Sequence, residues 1–238
     1  MALILNLETS TQVCSVALGN DDKCLAYLEG REIMAHARML GPLIMYILAQ
    51  NNLGADQLDA IAVSKGPGSY TGLRIGVSTA KGMVYASKNK LIAVNTLYAL
   101  AMGALQSSAF TELNKSANID LLCPMIDARR MEVYSAMYTT DKKIFKDVSA
   151  EIITAGYYSN LLAEHNVLFF GNGSGKCREN IRHPNAFFLD DFETSARYMV
   201  PLADEAYHSG TFEDVAYFEP FYLKDFIPTI PKNKILPG

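Results

Sequence analysis

The stretch Lys65-Gly66-Pro67-Gly68-Ser69-Tyr70-Thr71-Gly72-Leu73-Arg74-Ile75-Gly76 decides how the chain reads. Just before it, Leu58 to Ser64 is a short apolar run with the pattern of a buried strand. Just after it, Leu73, Val77, Ala80 and Val84 recur at helical spacing, with Arg74, Ser78 and Lys81 on another face. The order is strand, Gly-Pro-Gly loop, helix, so the chain turns sharply where backbone N–H groups at a helix start are open to a ligand. Gly72, Gly76 and Gly82 each cost about 1 kcal/mol relative to Ala inside a helix. Gly72 and Gly76 stand one turn apart and leave a shallow groove for another backbone. The loop reads as a phosphate cradle or as a tight turn before a close crossing. Its spacing fits neither G-x-x-x-x-G-K-[ST] nor G-x-G-x-x-G, which favours close packing.

Towards the N-terminus, Ala2 to Leu7, Val13 to Gly19 and Lys23 to Glu29 read as three strands joined by polar turns. Alternation in the first is only partial, as expected for a central strand buried on both faces. A helix spans about Ala35 to Asn52; Pro42 should kink it or begin its main segment, and Gly54 ends it. The helix after the glycine loop runs to about Lys88. A strand from Leu91 to Val94 and a helix from Thr96, a candidate N-cap, to Leu105 complete a first lobe, 1–105.

Residues 106–118 are polar and weakly patterned, and read as a linker. The order then restarts with strand Ile119 to Ile126, polar turn Asp127-Ala128-Arg129-Arg130 and strand Glu132 to Tyr138. One or two strands follow in Ile144 to Ile153, then a helix from Tyr157 to Glu164. Strand Val167 to Phe170 leads into a second glycine loop, Gly171-Asn172-Gly173-Ser174-Gly175. Ala186 to Leu189 is strand-like, and Ser195 to His208 is a last helix despite Pro201. The second lobe is thus 106–223, and the proline-bearing tail 224–238 is expected to be extended or disordered. The halves share one order, with Glu8 and Asp127 at matching strand ends. The expected fold is α/β, two duplicated ribonuclease H-like lobes with the second degenerate, and any ligand in the cleft between them. Glu8, Ser10, Gly66, Gly68, Ser69, Asp127, Gly171 and Gly173 are the cleft and nucleotide candidates.

Composition sets outer limits. With 238 residues, half of them hydrophobic and 19% charged, the chain fits one large domain or two lobes of an ordinary globular protein. A net charge of −4 argues against a stand-alone nucleic-acid binder, and small basic groups such as Arg129-Arg130 read as solvated surface. The N-terminal apolar run is short and broken by Asn6, which suits a first strand better than a leader or a membrane span. The cysteines, Cys14, Cys24, Cys123 and Cys177, form no C-x-x-C, and reduced, mostly buried thiols in a cytoplasmic protein are expected. His36, His165, His183 and His208 form no H-E-x-x-H, and no metal site is expected.

Catalytic parts are sparse. Glu8 is one methylene longer than the Asp that an ATP-using two-lobed enzyme places on its metal, and Mg²⁺ tolerates little displacement. Asp127, Arg129 and Glu132 read as a turn held by ion pairs. Ser174 in GNGSG is offset from G-x-S-x-G and lacks a base nearby. No catalytic residue is assigned.

Several motifs resemble one family. KGPGSYTGLRIG resembles the GPGSFTGLR motif of the TsaB (YeaZ) family, partner proteins in bacterial tRNA threonylcarbamoyladenosine synthesis. ILNLETSTQVCSVAL resembles the opening strand pair, with Glu8 where Asp is usual; Arg31 to Pro42 resembles an R…HS…LLP segment, with Ala37 for Ser. Asp127 to Tyr134 resembles DARR-x-EVY, and Pro220 to Lys224 resembles P-x-YLR with Lys for Arg. The resemblance implies a two-lobed ASKHA (actin/hexokinase/Hsp70-like) fold in a cytoplasmic protein that is no enzyme by itself. It implies a heterodimer with the transferase TsaD, the ATPase TsaE joining them, for threonylcarbamoyl transfer to the adenosine beside the anticodon of ANN-reading tRNAs. In the catalytic relative a helix carries a metal-binding H-x-x-x-H pair; here His36 is followed four residues on by Leu40. The implied interface lies on the helices at 35–52 and after the glycine loop, with Met39, Met45, Tyr70, Thr71, Gly72, Leu73, Ile75, Gly76, Thr79 and Met83 as its residues. A homodimer is expected when the chain is alone, contact with tRNA only within the complex, and none with membranes. No cofactor is expected, and ATP or ADP in the cleft or at the complex interface has no motif behind it. The alternative is a weak nucleotide-binding or ATPase protein working in the cleft; a stand-alone peptidase is a third.

Overall fold

The computed structural model describes residues 1–31 and 35–224; the tail expected beyond Lys224 lies outside the described residues. One five-stranded sheet holds β1 (Leu3–Glu8), β2 (Cys14–Asn20), β3 (Lys23–Gly30), β4 (Ala60–Gly66) and β5 (Lys90–Asn95), in the order β3-β2-β1-β4-β5. The second holds β6 (Leu121–Asp127), β7 (Glu132–Thr139), β8 (Ile144–Ile152), β9 (Val167–Phe170) and β10 (Ala186–Leu189), in the order β10-β9-β6-β7-β8. In each, the first three strands pair antiparallel and the last two add in parallel on the other side of the first. The two sheets therefore repeat one ribonuclease H-like topology, and the duplicated two-lobed ASKHA reading of the sequence holds.

The helices are α1 (His36–Gln50), α2 (Tyr70–Ser87), α3 (Thr96–Leu105), α4 (Ser108–Ala117), α5 (Ser159–Glu164), α6 (Ser174–Cys177) and α7 (Val200–His208). On α2, Val77, Ala80 and Val84 enter the core with Ile44 and Ile47 of α1 and Leu5, Leu7, Ile61 and Val63 of the sheet, and Leu73 is buried at the start of the same stripe. Burying each large member of this stripe is worth about 1.5–3 kcal/mol, enough to outweigh the helix's glycine content. Helix α1 runs unbroken through Pro42. The missing N–H there would have met the carbonyl of Arg38 in the exposed first turn, where water can serve it.

Two local readings need correction. The stretch at 106–118 is not a linker but carries α4, capped by Ser107, whose Oγ accepts from Phe110 N–H at 3.0 Å. Phe110 and Ala117 pin it to the second core, and Asn118 ends it in a left-handed conformation, φ 44°. Thr96 is the first residue of α3 rather than its cap; Asn95 Oδ1 accepts from Tyr98 N–H at 3.0 Å.

The lobes do not divide cleanly at residue 105. Helix α3 packs against β6, and its Leu97, Leu100 and Ala101 join the second-sheet core with Leu122, Ile126 and Phe170. Helix α7 returns to the first sheet, where its Ala203 and, from the turn before it, Met199 meet Ile4, Ala62 and Ile92. Pro201 sits in the first turn of α7, a position that costs the helix no hydrogen bond. The apolar middle layer of α3, α7 and the 3₁₀ turn Ala196–Met199 thus serves both sheets. Gly103 makes that layer thin, since a Cβ there would lie 2.3 Å from the Tyr198 ring.

Candidate functional site

The glycine loop closes on its own lobe. Beyond β1, Ser10 O accepts from Ser69 N–H at 2.7 Å, and Thr9 Oγ1 donates to Gly72 O at 2.9 Å. A Cβ on Gly72 would stand 2.1 Å from Thr9 O, one on Gly76 2.3 Å from Thr9 Oγ1, and one on Gly68 2.4 Å from Ser10 O. The groove on α2 is therefore filled by the Thr9–Ser10 loop, which corrects the expectation that Gly72 and Gly76 face a partner. Close packing was the right reading of these glycines, but the neighbour is intramolecular. Two donors that a phosphate would need are also spent: Ser69 N–H on Ser10, and Gly72 N–H on Ser69 Oγ at 3.3 Å. Gly66, at φ 110°, is covered by the C-terminal segment, where Phe221 N–H donates to Lys65 O at 2.7 Å.

The matching acids lie at matching strand ends in unlike environments. Glu8 is 1% exposed; its Oε1 accepts from Ser10 N–H at 2.6 Å and Ser64 Oγ at 3.0 Å. Burial pushes its carboxyl above the ordinary range, against the pull of those hydrogen bonds. The nearby Cys14 thiol is pushed up to about 11, by burial first and then by the Glu8 charge. Asp127 is exposed, and its ion-pair partner is Lys176 rather than the Arg129 or Arg130 guanidinium; Arg129 contributes only its backbone N–H, which donates to Oδ1 at 2.9 Å. Lys176 also donates to Arg130 O at 2.8 Å and Glu132 O at 2.7 Å, while Glu132 pairs with Lys224. The expected turn of ion pairs exists with different cations, supplied from α6 and the C-terminal segment. Gly171 and Gly173 pack on the end of β6, where Cβ atoms would stand 2.4 Å from Met125 O and 2.8 Å from Ile126 C.

His36 is buried at the start of α1 with no hydrogen-bond partner for Nε2 among the described residues, and Leu40 is 1% exposed in the core. Asp21, Asp204 and His208 gather near the N-terminus, each already engaged: Asp21 accepts from Ala2 N–H at 2.9 Å and Asp204 pairs with His208 at 3.1 Å. No helix of the described residues is long and apolar enough to cross a membrane.

The remaining candidate is the outer face of α1 and α2, neighbours on the side of the first sheet away from α7. Met45 is 73%, Tyr46 57% and Tyr85 84% exposed. Gly41 and Gly82 lie in the same two helices, and a Cβ on either would meet nothing within 4 Å. Of the residues expected here, Met45 and Thr71 point outward, while Ile75, Thr79, Met39 and Met83 are half-buried. Leu73 is in the core beside Gly72 and Gly76, and Tyr70 packs on Tyr222 with ring centroids 4.9 Å apart. Tyr46, Ser78, Gly82 and Tyr85 were missed. Their signal was present, for Thr71, Arg74, Ser78, Gly82 and Tyr85 recur every three or four residues opposite the buried stripe.

A family model described as TsaD: tRNA N6-adenosine threonylcarbamoyltransferase matches residues 33–172. The tRNA threonylcarbamoyladenosine biosynthesis protein TsaB of Escherichia coli (strain K12) is 30% identical over 99% of this chain and 98% of its own length. Its counterpart in Haemophilus influenzae is 29% identical over 99% and 97%. The solved structure of YeaZ from Pseudomonas aeruginosa superposes with a TM-score of 0.76 at 25% identity, covering 94% of this chain and all of that one. With a motif set, a fold and nearly full-length relatives in agreement, the chain belongs to the TsaB proteins of tRNA threonylcarbamoyladenosine biosynthesis, within the wider family that the TsaD model describes.

Proposed function

We propose that this chain is a non-catalytic subunit that binds and activates a TsaD-type transferase in the cytoplasm, together with TsaE. The complex would transfer the threonylcarbamoyl group to the adenosine next to the anticodon of ANN-reading tRNAs. The observation that carries this reading is the outer face of α1 and α2, where Met45, Tyr46 and Tyr85 leave apolar area open to water beside two glycines that allow close approach. Such a face suits a helix pair from a related fold. Leu40 in the core, where the catalytic relative is expected to carry a second metal ligand, supports a helper role. The test is co-purification of this chain with a TsaD-type protein, followed by a reconstituted modification assay with each component omitted in turn. The expected result is a stable complex and tRNA modification that needs both proteins. Modification by this chain without the transferase, or full modification in its absence, would overturn the reading.

A further inference from the structure

A chain of contacts from the start of α2 to the start of β7 joins aromatic rings to cations. Arg74 lies 5.5 Å from the centre of the Tyr70 ring, with Nη1 3.4 Å from its hydroxyl, and Tyr70 packs on Tyr222. Two residues beyond Tyr222, Lys224 reaches across to Glu132 at the start of β7. Tyr134 lies two residues further along β7, on the same face of the strand as Glu132, and is half-buried. The β6–β7 turn then presents Arg129 and Arg130, both exposed, at φ 70° and 48°. A tight hairpin turn requires two successive left-handed residues, and here both are arginines. Neither guanidinium is paired with a carboxylate among the described residues, whereas Asp127 and Glu132 nearby are neutralised by Lys176 and Lys224. A protein of net charge −4 thus carries a locally cationic surface studded with half-exposed tyrosines.

We propose that this surface, formed by Arg129, Arg130, Tyr134 and Tyr222, contacts single-stranded RNA, namely the anticodon loop of the tRNA being modified. Unpaired loop bases expose faces that stack on tyrosine and arginine, while their phosphates need cations, which Arg129 and Arg130 offer on the side of the patch away from the Glu132–Lys224 pair. Acidic partners of a protein kind would find the same cations, but tyrosine rings beside them, Tyr222 packed on Tyr70 and Tyr134 along β7, match bases better. The inference rests on the tRNA-modification role proposed above and extends it, because it gives this subunit direct contact with the nucleic acid.

The experiment titrates an anticodon stem–loop RNA of an ANN-reading tRNA into the complex with the transferase, by fluorescence anisotropy over a salt series. The variants are Arg129→Glu/Arg130→Glu, the milder Arg129→Gln/Arg130→Gln, and Tyr222→Ala. Lys23→Glu/Lys115→Glu, on β3 and α4, is a control of equal charge change. Losing two phosphate contacts should lower the salt slope by about 1.4 and weaken binding roughly tenfold. Loss of one stacking platform should weaken it about fivefold to 150-fold. The control should bind as the parent does. Unchanged affinity and slope in the patch variants, or an equal loss in the control, overturns the inference. Co-purification of every variant with the transferase is measured alongside, so normal association with unaltered RNA binding refutes the patch and spares the partner role. If the parent forms no complex, the same series on the chain alone decides, with Arg129- and Arg130-dependent binding in support and its absence against.

Discussion

Gly72→Ala probes the site where this structure departs most from an outward-facing groove. The added methyl would sit 2.1 Å from Thr9 O, a backbone atom that cannot swing aside as a side chain can. Helix α2 and the Thr9–Ser10 loop must part, straining the Thr9 Oγ1 to Gly72 O bond and the Ser69 N–H to Ser10 O bond, now 2.9 and 2.7 Å long. Overpacking costs about 1–3 kcal/mol and a weakened buried hydrogen bond about 0.5–1.5, offset by about 1 kcal/mol of helix propensity. The expected net loss is about 0.5–3.5 kcal/mol, a fall in Tm of roughly 1–14 °C for a chain of this size. Gly82→Ala gains the same propensity, and its methyl meets nothing within 4 Å. It should raise Tm by roughly 2–4 °C. Thermal unfolding followed by circular dichroism reads both, and titration with the transferase partner reads association. A Gly72→Ala protein that melts like the parent but fails to bind the partner would show that the groove faces outward, and the reasoning would be wrong.

Further outcomes follow from other parts of the molecule. Tyr85→Glu, on an 84% exposed ring, should leave Tm unchanged while weakening association with the transferase. An aromatic anchor is worth about 2 kcal/mol or more, or roughly thirtyfold, and normal binding by this variant would remove α2 from the interface. Glu8→Gln keeps an oxygen for Ser10 N–H and Ser64 Oγ but cannot ionise. Because burial raises the Glu8 pKa in the fold, the parent loses stability relative to the variant as pH climbs from the ordinary carboxylate range to that raised value. The Tm difference in favour of Glu8→Gln should therefore grow with pH and then level off, and a gap independent of pH would contradict the assignment. Glu151 has the opposite sign. Burial raises its pKa, but hydrogen bonds from Lys146, Tyr158 and Ser149 bring it below the ordinary value. The stability it contributes is present above the ordinary carboxylate range and lost as pH falls through its lowered pKa, so Glu151→Gln should flatten the acid limb of the Tm profile. Ser107→Ala removes the cap of α4 and should cost about 1 kcal/mol, a loss that urea unfolding resolves. No change there would leave α4 held by Phe110 and Ala117 alone.

Much of the architecture was legible in the residues because it depends on local periodicity. The alternation of strands with a turn, a glycine loop and helical stripes restarts at Ile119, and repetition of a local pattern predicts repetition of topology. Helix α4 was hidden because only Phe110 and Ala117 are buried on it, too thin a stripe to stand out from its polar neighbours. The cations paired with Asp127 and Glu132 were hidden for a different reason. Arg129 and Arg130 are nearest in sequence, but the left-handed turn throws them outward, and Lys176 and Lys224 arrive from distant segments.

The sequence by itself thus determined most of the strands and the strongly periodic helices, that the chain is a doubled α/β unit, and that Gly72 and Gly76 mark a close approach. Tertiary structure alone decided what approaches them. Glycine records the absence of a side chain and so the need for space, but carries no information about which surface fills it. That surface is the Thr9–Ser10 loop, placed there because β1 and β4 pair in parallel and bring their C-terminal ends side by side under α2. The exchange of α3 and α7 across the lobes was likewise decided only in three dimensions, since both helices are apolar on more than one face and their patterns fit either sheet.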